Sequence, residues 1–157
     1  MPMNRQLRGG LLVLAGTTIL SGCAAEVRSA VLGPDQGEIA AEQCSRPNPP
    51  RYESVWQPSA AEVQQLEQNL PALDAQAPAD CCGGLRLGDP QAYDRQYFGI
   101  VVQGRRLIYI NAFVPTMANK DFRSYSIVLC GGGSGAWGAL YDPQSRGFSA
   151  LAFNGAR

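Results

Sequence analysis

The stretch QYFGIVVQGRRLIYINAFV, residues 96–114, decides the fold of this chain. It is rich in β-branched and aromatic residues, as are strands that pack on a half-buried pleated surface. Gln103-Gly104 divides it into two runs of strand length, and a glycine in second place suits the tight turn of a hairpin. We therefore predict two antiparallel strands, 96–102 and 105–114, joined by that turn.

Three more strands are predicted after this hairpin. A glycine-rich turn at 131–135 and a polar turn at 142–147 divide this part of the chain. Short connections usually join strands that are neighbours in space, so we expect an antiparallel meander of about five strands. The additional strands are expected at Ser124–Cys130, Ala136–Tyr141 and Phe148–Phe153.

One main helix is predicted before the sheet. Ser59 is followed three residues later by Glu62, which is the signature of a capping box. Pro71 is expected to end or kink the helix. Four apolar residues recur at helical spacing and are expected to pack on one face of the sheet, namely Val63, Leu66, Leu70 and Leu73.

Together these elements predict the α+β fold class, with one main helix packed on the antiparallel meander and with disulfides. The order of helix and then meander is similar to that of the cystatin-like and β-lactamase-inhibitor-like folds. That resemblance implies architecture alone, because proteins of unrelated function share one fold.

The first 22 residues have the pattern of a targeting segment. Arg5 and Arg8 precede an uncharged apolar run at 11–20, which is too short for a membrane-spanning helix. Leu20-Ser21-Gly22-Cys23 follows at once and resembles the bacterial lipobox. That resemblance implies a signal peptide at 1–22, a lipid on the Cys23 thiol and stable membrane attachment by acyl chains. The alternative is an ordinary secretory signal in which Cys23 is incidental.

Two further parts are predicted in the mature chain. Residues 23–50 contain several prolines and glycines without apolar periodicity, so we expect the lipidated cysteine and a flexible tether there. Residues 51–157 are expected to form the α+β domain. In lipoproteins of enteric bacteria, aspartate after the lipidated cysteine retains the protein at the inner membrane. Ala24 therefore implies the outer membrane, facing the periplasm.

Four other cysteines are candidates for disulfides, namely Cys44, Cys81, Cys82 and Cys130. Export implies an oxidising compartment, where an even number of cysteines is typical of disulfides. A bond between the neighbours Cys81 and Cys82 would strain the backbone. We therefore predict that Cys44 and Cys130 each pair with one of them. Zinc is a weaker alternative, because the chain has no Cys-x-x-Cys motif and no histidine.

The composition argues against nucleic-acid binding and against histidine-based catalysis. After loss of Arg5 and Arg8 the chain has two more acidic than basic residues, which leaves no basic surplus for phosphates. Without histidine, a Ser-His-Asp or Cys-His mechanism lacks its base. The 131–135 segment has no lysine, so it is expected to be a turn and not a phosphate loop. No metal and no cofactor are predicted.

The favoured function is a non-enzymatic, lipid-tethered module that binds an envelope protein or a cell-wall component. Its candidate binding residues are Tyr97, Tyr109 and Arg106, on an aromatic and partly polar face of the sheet. The tether or the 74–92 loop could instead cover that face. The other function considered is an envelope hydrolase or inhibitor-like effector that uses loop carboxylates, the candidates being Asp80, Asp89, Asp94, Asp121 and Asp142.

The mature region as a whole resembles small uncharacterised lipoproteins of Gram-negative bacteria. The resembling stretches are residues 56–63 (WQPSAAEV), 96–100 (QYFGI), 106–113 (RLIYINAF) and 137–143 (WGALYDP). The resemblance implies an envelope location, and it carries over neither an activity nor the role of any residue.

Overall fold

A computed structural model of the chain describes residues 28–76 and 84–155. Within these residues the fold is α+β, with six strands in one mixed sheet and two helices of two turns or more. The helices are α1 (Pro34–Ala41) and α2 (Ala60–Asn69), and a 3-10 turn (Leu70–Ala72) and a four-residue helix α3 (Leu73–Gln76) follow α2. The strands are β1 (Ser29–Val31), β2 (Ser54–Trp56), β3 (Asp94–Val102), β4 (Arg105–Phe113), β5 (Ala136–Asp142) and β6 (Gly147–Phe153).

The hairpin predicted at the centre of the sheet is confirmed. β3 and β4 pair antiparallel from Asp94 opposite Phe113 to Val102 opposite Arg105. Gln103 and Gly104 join them with φ angles of 52° and 72°, as a type I′ turn requires at both central positions. β5 and β6 then continue the sheet as antiparallel neighbours.

Two short strands make the sheet mixed. β1 pairs parallel to the beginning of β3, and β2 pairs antiparallel to its end, both on the edge that faces away from β4. Because β1 is parallel, the predicted purely antiparallel meander is wrong, although the α+β class is correct. A three-residue strand is too short to show a period of two in the sequence.

Helix α2 covers one face of the sheet. The predicted capping box is present, since the Glu62 carboxylate accepts the Ser59 backbone N–H at 2.8 Å and the Ser59 hydroxyl accepts the Glu62 N–H at 3.3 Å. The helix ends at Asn69, two residues before Pro71. The core on this face contains Leu66, Leu70, Leu73, Tyr97, Ile108, Ile110, Trp137 and Tyr141.

The opposite face is covered by the N-terminal segment, so the predicted flexible tether is wrong from residue 28 onward. Gly33 and Pro34 begin α1, with the proline in the first turn where it needs no N–H partner. Gly37 lets α1 approach the sheet, because a Cβ on it would lie 2.6 Å from Cγ of Phe98. Residues that suggested a spacer therefore serve to start a helix and pack it.

Residues 122–130, called here the crossing segment, also lie on this face and do not form the predicted strand. Side-chain amides take the place of a neighbouring strand. The Gln96 amide donates to the carbonyls of Phe122 and Tyr125, at 2.7 Å each, and accepts the Ile127 N–H at 3.0 Å. These bonds satisfy backbone groups at and between Phe122 and Ile127, the two apolar side chains of the segment that are buried in the core.

A disulfide joins Cys44 to Cys130, with their Cα atoms 4.9 Å apart. The predicted pairing of each with Cys81 or Cys82 is therefore wrong. Cys44 follows α1 and Cys130 ends the crossing segment, and Gln43 holds these two parts together. The Gln43 amide accepts the Leu129 N–H at 2.9 Å and donates to the Ile127 carbonyl at 3.0 Å. Cys81 and Cys82 lie outside the described residues.

Candidate functional site

The three residues predicted to bind a partner lie in different surroundings. Tyr97 and Tyr109 are buried, with exposed fractions of 0% and 3%, and they lie on opposite faces of the sheet. The register places Phe98, not Tyr97, opposite Tyr109. The two tyrosines are therefore core residues, and only Arg106 is presented to solvent.

Tyr97 belongs to a polar cluster beneath α2. Its hydroxyl donates to the Glu67 carboxylate at 2.7 Å and accepts from the Arg95 Nε at 2.9 Å. Burial and the nearby Glu67 charge raise the pKa of Tyr97 well above its ordinary value, although Arg95 opposes the shift. The phenol therefore stays protonated, and it fixes Glu67 and Arg95 in a defined arrangement.

Tyr109 contacts a buried arginine on the other face. The Arg46 guanidinium donates to the Tyr109 hydroxyl from Nε at 3.2 Å and from Nη2 at 2.9 Å. It also donates to the side-chain oxygens of Asn111, at 2.6 Å, and Asn154, at 2.9 Å. Burial lowers the pKa of Arg46, and Tyr109 partly offsets that effect. This guanidinium links the chain after α1 to the sheet.

Arg106 is the exposed member of the predicted set, and it stacks on an aromatic ring. Its guanidinium carbon lies 3.8 Å from the centroid of the Trp56 ring, and Nη2 lies 3.3 Å from the Glu62 carboxylate. Trp56 fits against the sheet because position 99 is glycine, where a Cβ would lie 2.3 Å from the indole ring. Arg106 thus covers the side of an aromatic ring that the sheet leaves open.

Among the described residues, a groove lies between β1 and α2, with a volume of about 810 Å³. That volume is within the range of typical ligand pockets. β1 and Arg28 form one wall, residues of α2 form the other, and both apolar and polar side chains line the groove. The residues that line this β1–α2 groove are Arg28, Ser29, Ala30, Val31, Ala60, Val63, Gln64, Glu67, Gln91 and Arg95.

The three charged side chains of the β1–α2 groove differ in their exposure and in the distances to their partners. Arg95 and Glu67 form an ion pair at 3.1 Å, and the Arg95 guanidinium is almost buried. Arg28 is more exposed, with 40% of its side chain accessible, and its nearest described carboxylate oxygen, on Asp94, is 3.9 Å away. Arg28 is therefore the most exposed of the three charged side chains in the groove.

The described loop aspartates each have a local structural partner. Asp89 accepts the Gln91 N–H at 3.0 Å. Asp121 accepts the Arg123 N–H at 3.1 Å, and Asp142 accepts the Gln144 N–H at 2.8 Å. Asp94 is paired with Arg28. These are turn-capping and ion-pair roles, and none of these four carboxylates lines the β1–α2 groove.

Cys23 and Asp80 lie outside the described residues. Within residues 28–76 and 84–155, no group of three or more histidine, cysteine, aspartate or glutamate side chains is placed to hold a metal ion. The glycine-rich stretch turns the chain, as predicted, through a 3-10 turn at Gly133–Gly135 that leads into β5. No helix in the described part of the chain is long and apolar enough to cross a membrane.

Most residues of the β1–α2 groove are not indicated by any pattern in the sequence. The apolar stripe predicted for α2 includes Val63, but no pattern in the sequence indicates a role for Glu67. The ion pair of Glu67 with Arg95 joins residues 28 positions apart. A signal was available only in β1, where Ala30, Val31 and Leu32 are apolar within a polar and proline-rich segment.

Comparisons of the chain with protein families, with curated proteins and with solved structures found no significant match.

Proposed function

We propose that this protein is a lipid-anchored binding module of the cell envelope, and that the β1–α2 groove is its binding site. The observation that carries the proposal is the groove itself, about 810 Å³ in volume, partly apolar, and bordered by the exposed Arg28. Binding sites are usually concave and mainly apolar, with a few polar groups that orient the ligand. The proposed partner is an envelope protein or a cell-wall component.

The covered faces of the sheet support the choice of the groove. Segments on both sides bury Tyr97 and Tyr109, so neither can contact a partner without unfolding its cover. Arg106, stacked on Trp56, presents a cation at the end of α2 where Glu62 lies. Aromatic and arginine side chains contribute strongly to protein interfaces.

The hydrolase alternative has less support, because Asp89, Asp94, Asp121 and Asp142 are engaged in turns or with Arg28. Glycoside hydrolysis by carboxylates needs a pair of them, one on each side of the scissile bond. We therefore favour binding over catalysis.

The membrane anchor in this proposal comes from the lipobox-like sequence that ends at Cys23. We expect Cys23→Ser to abolish lipid attachment, so that a labelled fatty acid fed to the cells marks only the unaltered protein. The outer membrane is the proposed location because of Ala24. Labelling of the Cys23→Ser protein would overturn the anchor and leave the groove unaffected.

A photo-cross-linking amino acid at position 64 tests the groove in the native envelope. Gln64 is exposed and lines the groove, whereas Gln144 lies in the exposed β5–β6 turn and serves as the control position. We expect one adduct from position 64 that is absent from position 144. Mass spectrometry of the adduct then identifies a partner whose purified form must bind the protein.

A matched pair of variants separates groove binding from general adhesion. Ala60 lines the groove, and its exposed neighbour Ala61 does not. Glutamate in the first turn of a helix is tolerated, so both Ala60→Glu and Ala61→Glu should fold. Loss of the adduct with Ala60→Glu alone supports the proposal, and equal adducts from both variants would refute it.

A further inference from the structure

β1 presents an unpaired backbone edge to the β1–α2 groove. The Arg28 carbonyl accepts the Arg95 N–H at 2.8 Å, and the Leu32 N–H donates to the Tyr97 carbonyl at 2.8 Å. In a parallel ladder the residues of a strand alternate between facing the partner strand and facing away. Arg28, Ala30 and Leu32 therefore face β3. Ser29 and Val31 turn their N–H and C=O groups outward, where no strand of the described chain pairs with them.

The wall opposite this edge suits the side chains of an added strand. Ser29 and Val31 are in register with Arg95 and Tyr97, so their side chains lie on the face that α2 covers. Val31 and Val63 both pack against the core on that face. A strand beside β1 would place alternate side chains toward Ala60 and Val63, and the others away from α2.

The charge beside this edge indicates which charge a bound segment should carry. Arg28 stands at the beginning of β1, and Glu67 is engaged by Arg95 and Tyr97. The remaining polar residues of the lining are neutral, namely Ser29, Gln64 and Gln91. Arg28 donates to the Ala92 carbonyl at 3.3 Å and lies 3.9 Å from the Asp94 carboxylate, and 40% of its side chain stays exposed. A carboxylate on the incoming segment would lie beside this exposed guanidinium.

A second copy of this chain is a poor occupant. Pairing of β1 with β1 of another copy would involve three residues from each chain. Stable interfaces bury roughly 1,200–2,000 Å². A three-residue pairing provides only a small part of that area, so pairing through β1 alone would not hold two copies together. An extended segment lying in the groove also buries side chains against Ala60 and Val63 of α2.

We propose that the β1–α2 groove receives an extended polypeptide segment of another protein, which adds as a strand antiparallel to β1. The segment sets alternate small or apolar side chains against Ala60 and Val63 and places a carboxylate beside Arg28. Main-chain hydrogen bonds to Ser29 and Val31 supply affinity, and the side chains supply selectivity. This inference rests on the proposed function and names the class of ligand.

Random octapeptides displayed on phage, selected on the full mature protein, test the inference. We expect enrichment of peptides with alternating apolar residues and an acidic residue near the C-terminal end.

Binding of a selected synthetic peptide should shift the amide resonances of Ser29 and Val31. Arg28→Gln should weaken binding roughly tenfold, as expected for loss of a charge-assisted contact. Failure to enrich any groove-binding peptide would overturn the inference.

Backbone pairing has its own test. Ser29→Pro removes an outward N–H without removing a bond to β3, and proline is tolerated on edge strands. It should abolish peptide binding, whereas Ser29→Ala should bind normally. N-methylation of the peptide amides that face β1 should likewise abolish binding to the unaltered protein, whether or not Ser29→Pro folds. Binding that survives N-methylation would refute strand addition.

The two proposals fail in different ways. If the native adduct at position 64 is lost with Ala60→Glu but survives Ser29→Pro, groove binding stands and strand addition is wrong. If no adduct forms at position 64, the proposed function fails first. Self-association that depends on Ser29 would assign the edge to a second copy and refute the partner named here.

Discussion

At the residue scale, Arg46 is an unusual element of the core. It is 6% exposed, and its described partners are the neutral oxygens of Tyr109, Asn111 and Asn154. A buried charge of this kind requires hydrogen bonds on most of its donors, because burial removes the water that would solvate it. Position 138 is glycine, and a Cβ there would lie 2.9 Å from the Arg46 Nε. The sheet therefore leaves room for the guanidinium.

We expect Arg46→Met to destabilise the protein by about 2–4 kcal/mol, because it leaves the oxygens of Tyr109, Asn111 and Asn154 without their donor in a buried site. Urea unfolding followed by tyrosine and tryptophan fluorescence measures the change. The control is Arg51→Met at an exposed position, which should stay within about 0.5 kcal/mol of the unaltered protein. Equal stability of the two variants would show that Arg46 is not a structural centre.

We expect Glu62, at the start of α2, to make a contribution to the stability of the protein that depends on pH. Burial acts to raise its pKa, but hydrogen bonds from the Ser59 N–H and hydroxyl and the charge of Arg106 outweigh that effect and lower it. A carboxyl group whose pKa is lower in the folded than in the unfolded protein stabilises the fold fully at pH values above its unfolded pKa. That stabilisation is lost as the pH falls through the folded pKa.

Glu62→Gln should therefore cost about 0.5–1 kcal/mol at neutral pH, the scale of a capping interaction. The difference should disappear in acid, where Glu62 of the unaltered protein is itself protonated. Urea unfolding at several pH values measures both limits, and Glu53→Gln, at an exposed carboxylate with no described ion pair, is the control. A difference that is constant with pH would show that charge is not involved.

At the element scale, the sequence predicted the parts whose partners are near in the chain. The hairpin depended on Gln103-Gly104, and the start of α2 on Ser59 and Glu62, all within local reach. The crossing segment was predicted as a strand because Tyr125, Ile127 and Val128 have strand-forming side chains. Its backbone instead bonds to the side-chain amides of Gln43, Gln96 and Asn111. No periodicity in the sequence encodes such distant partners.

The Cys44–Cys130 disulfide holds α1 and the crossing segment on the same face of the sheet. It closes a loop over a separation of 86 residues. Constraint of so long a loop in the unfolded chain is worth about 4.6 kcal/mol in the chain-entropy account. Replacing both Cys44 and Cys130 by serine should therefore lower the free energy of unfolding by roughly 2–5 kcal/mol.

Peptide mapping without reduction checks the pairing directly. We expect one linked fragment that contains Cys44 and Cys130, and the Cys81→Ser, Cys82→Ser double variant should retain it. Recovery of Cys44 linked to Cys81 or Cys82 would contradict the structure.

At the scale of the whole molecule, the candidate site is assembled from distant parts of the chain. Arg28 and Val31 come from the N-terminal segment, Val63 and Glu67 from α2, and Arg95 from β3. The sequence pointed instead to Tyr97 and Tyr109, because aromatic residues on strands are typical both of cores and of binding faces. Whether such an aromatic residue is in the core or on a binding face is decided by the positions of the covering segments, and those positions depend on the tertiary fold.

The folded N-terminal segment also fixes how near the domain would lie to a membrane. With residues 28–50 in the domain, the connector from Cys23 to Arg28 spans at most about 17–18 Å when fully extended. A tether reaching to residue 50 would have allowed a much greater distance. If Cys23 carries the lipid, the β1–α2 groove and its partner segment meet close to the bilayer surface.

Energy transfer from a dye on the protein to a labelled lipid measures this distance on vesicles that carry the lipidated protein. Gln91 lies beside the groove, and Gln144 lies in the turn at the opposite end of the sheet. The nine residues of β3 separate these two ends by about 30 Å. We expect strong transfer from a dye at position 91 and weaker transfer from position 144.

Ten glycine and serine residues inserted after Ala25 should reduce the transfer from position 91, because a longer flexible connector lets the domain move away. Transfer from position 144 that equals or exceeds transfer from position 91, or no effect of the insertion, would contradict a domain held at the membrane by its short connector.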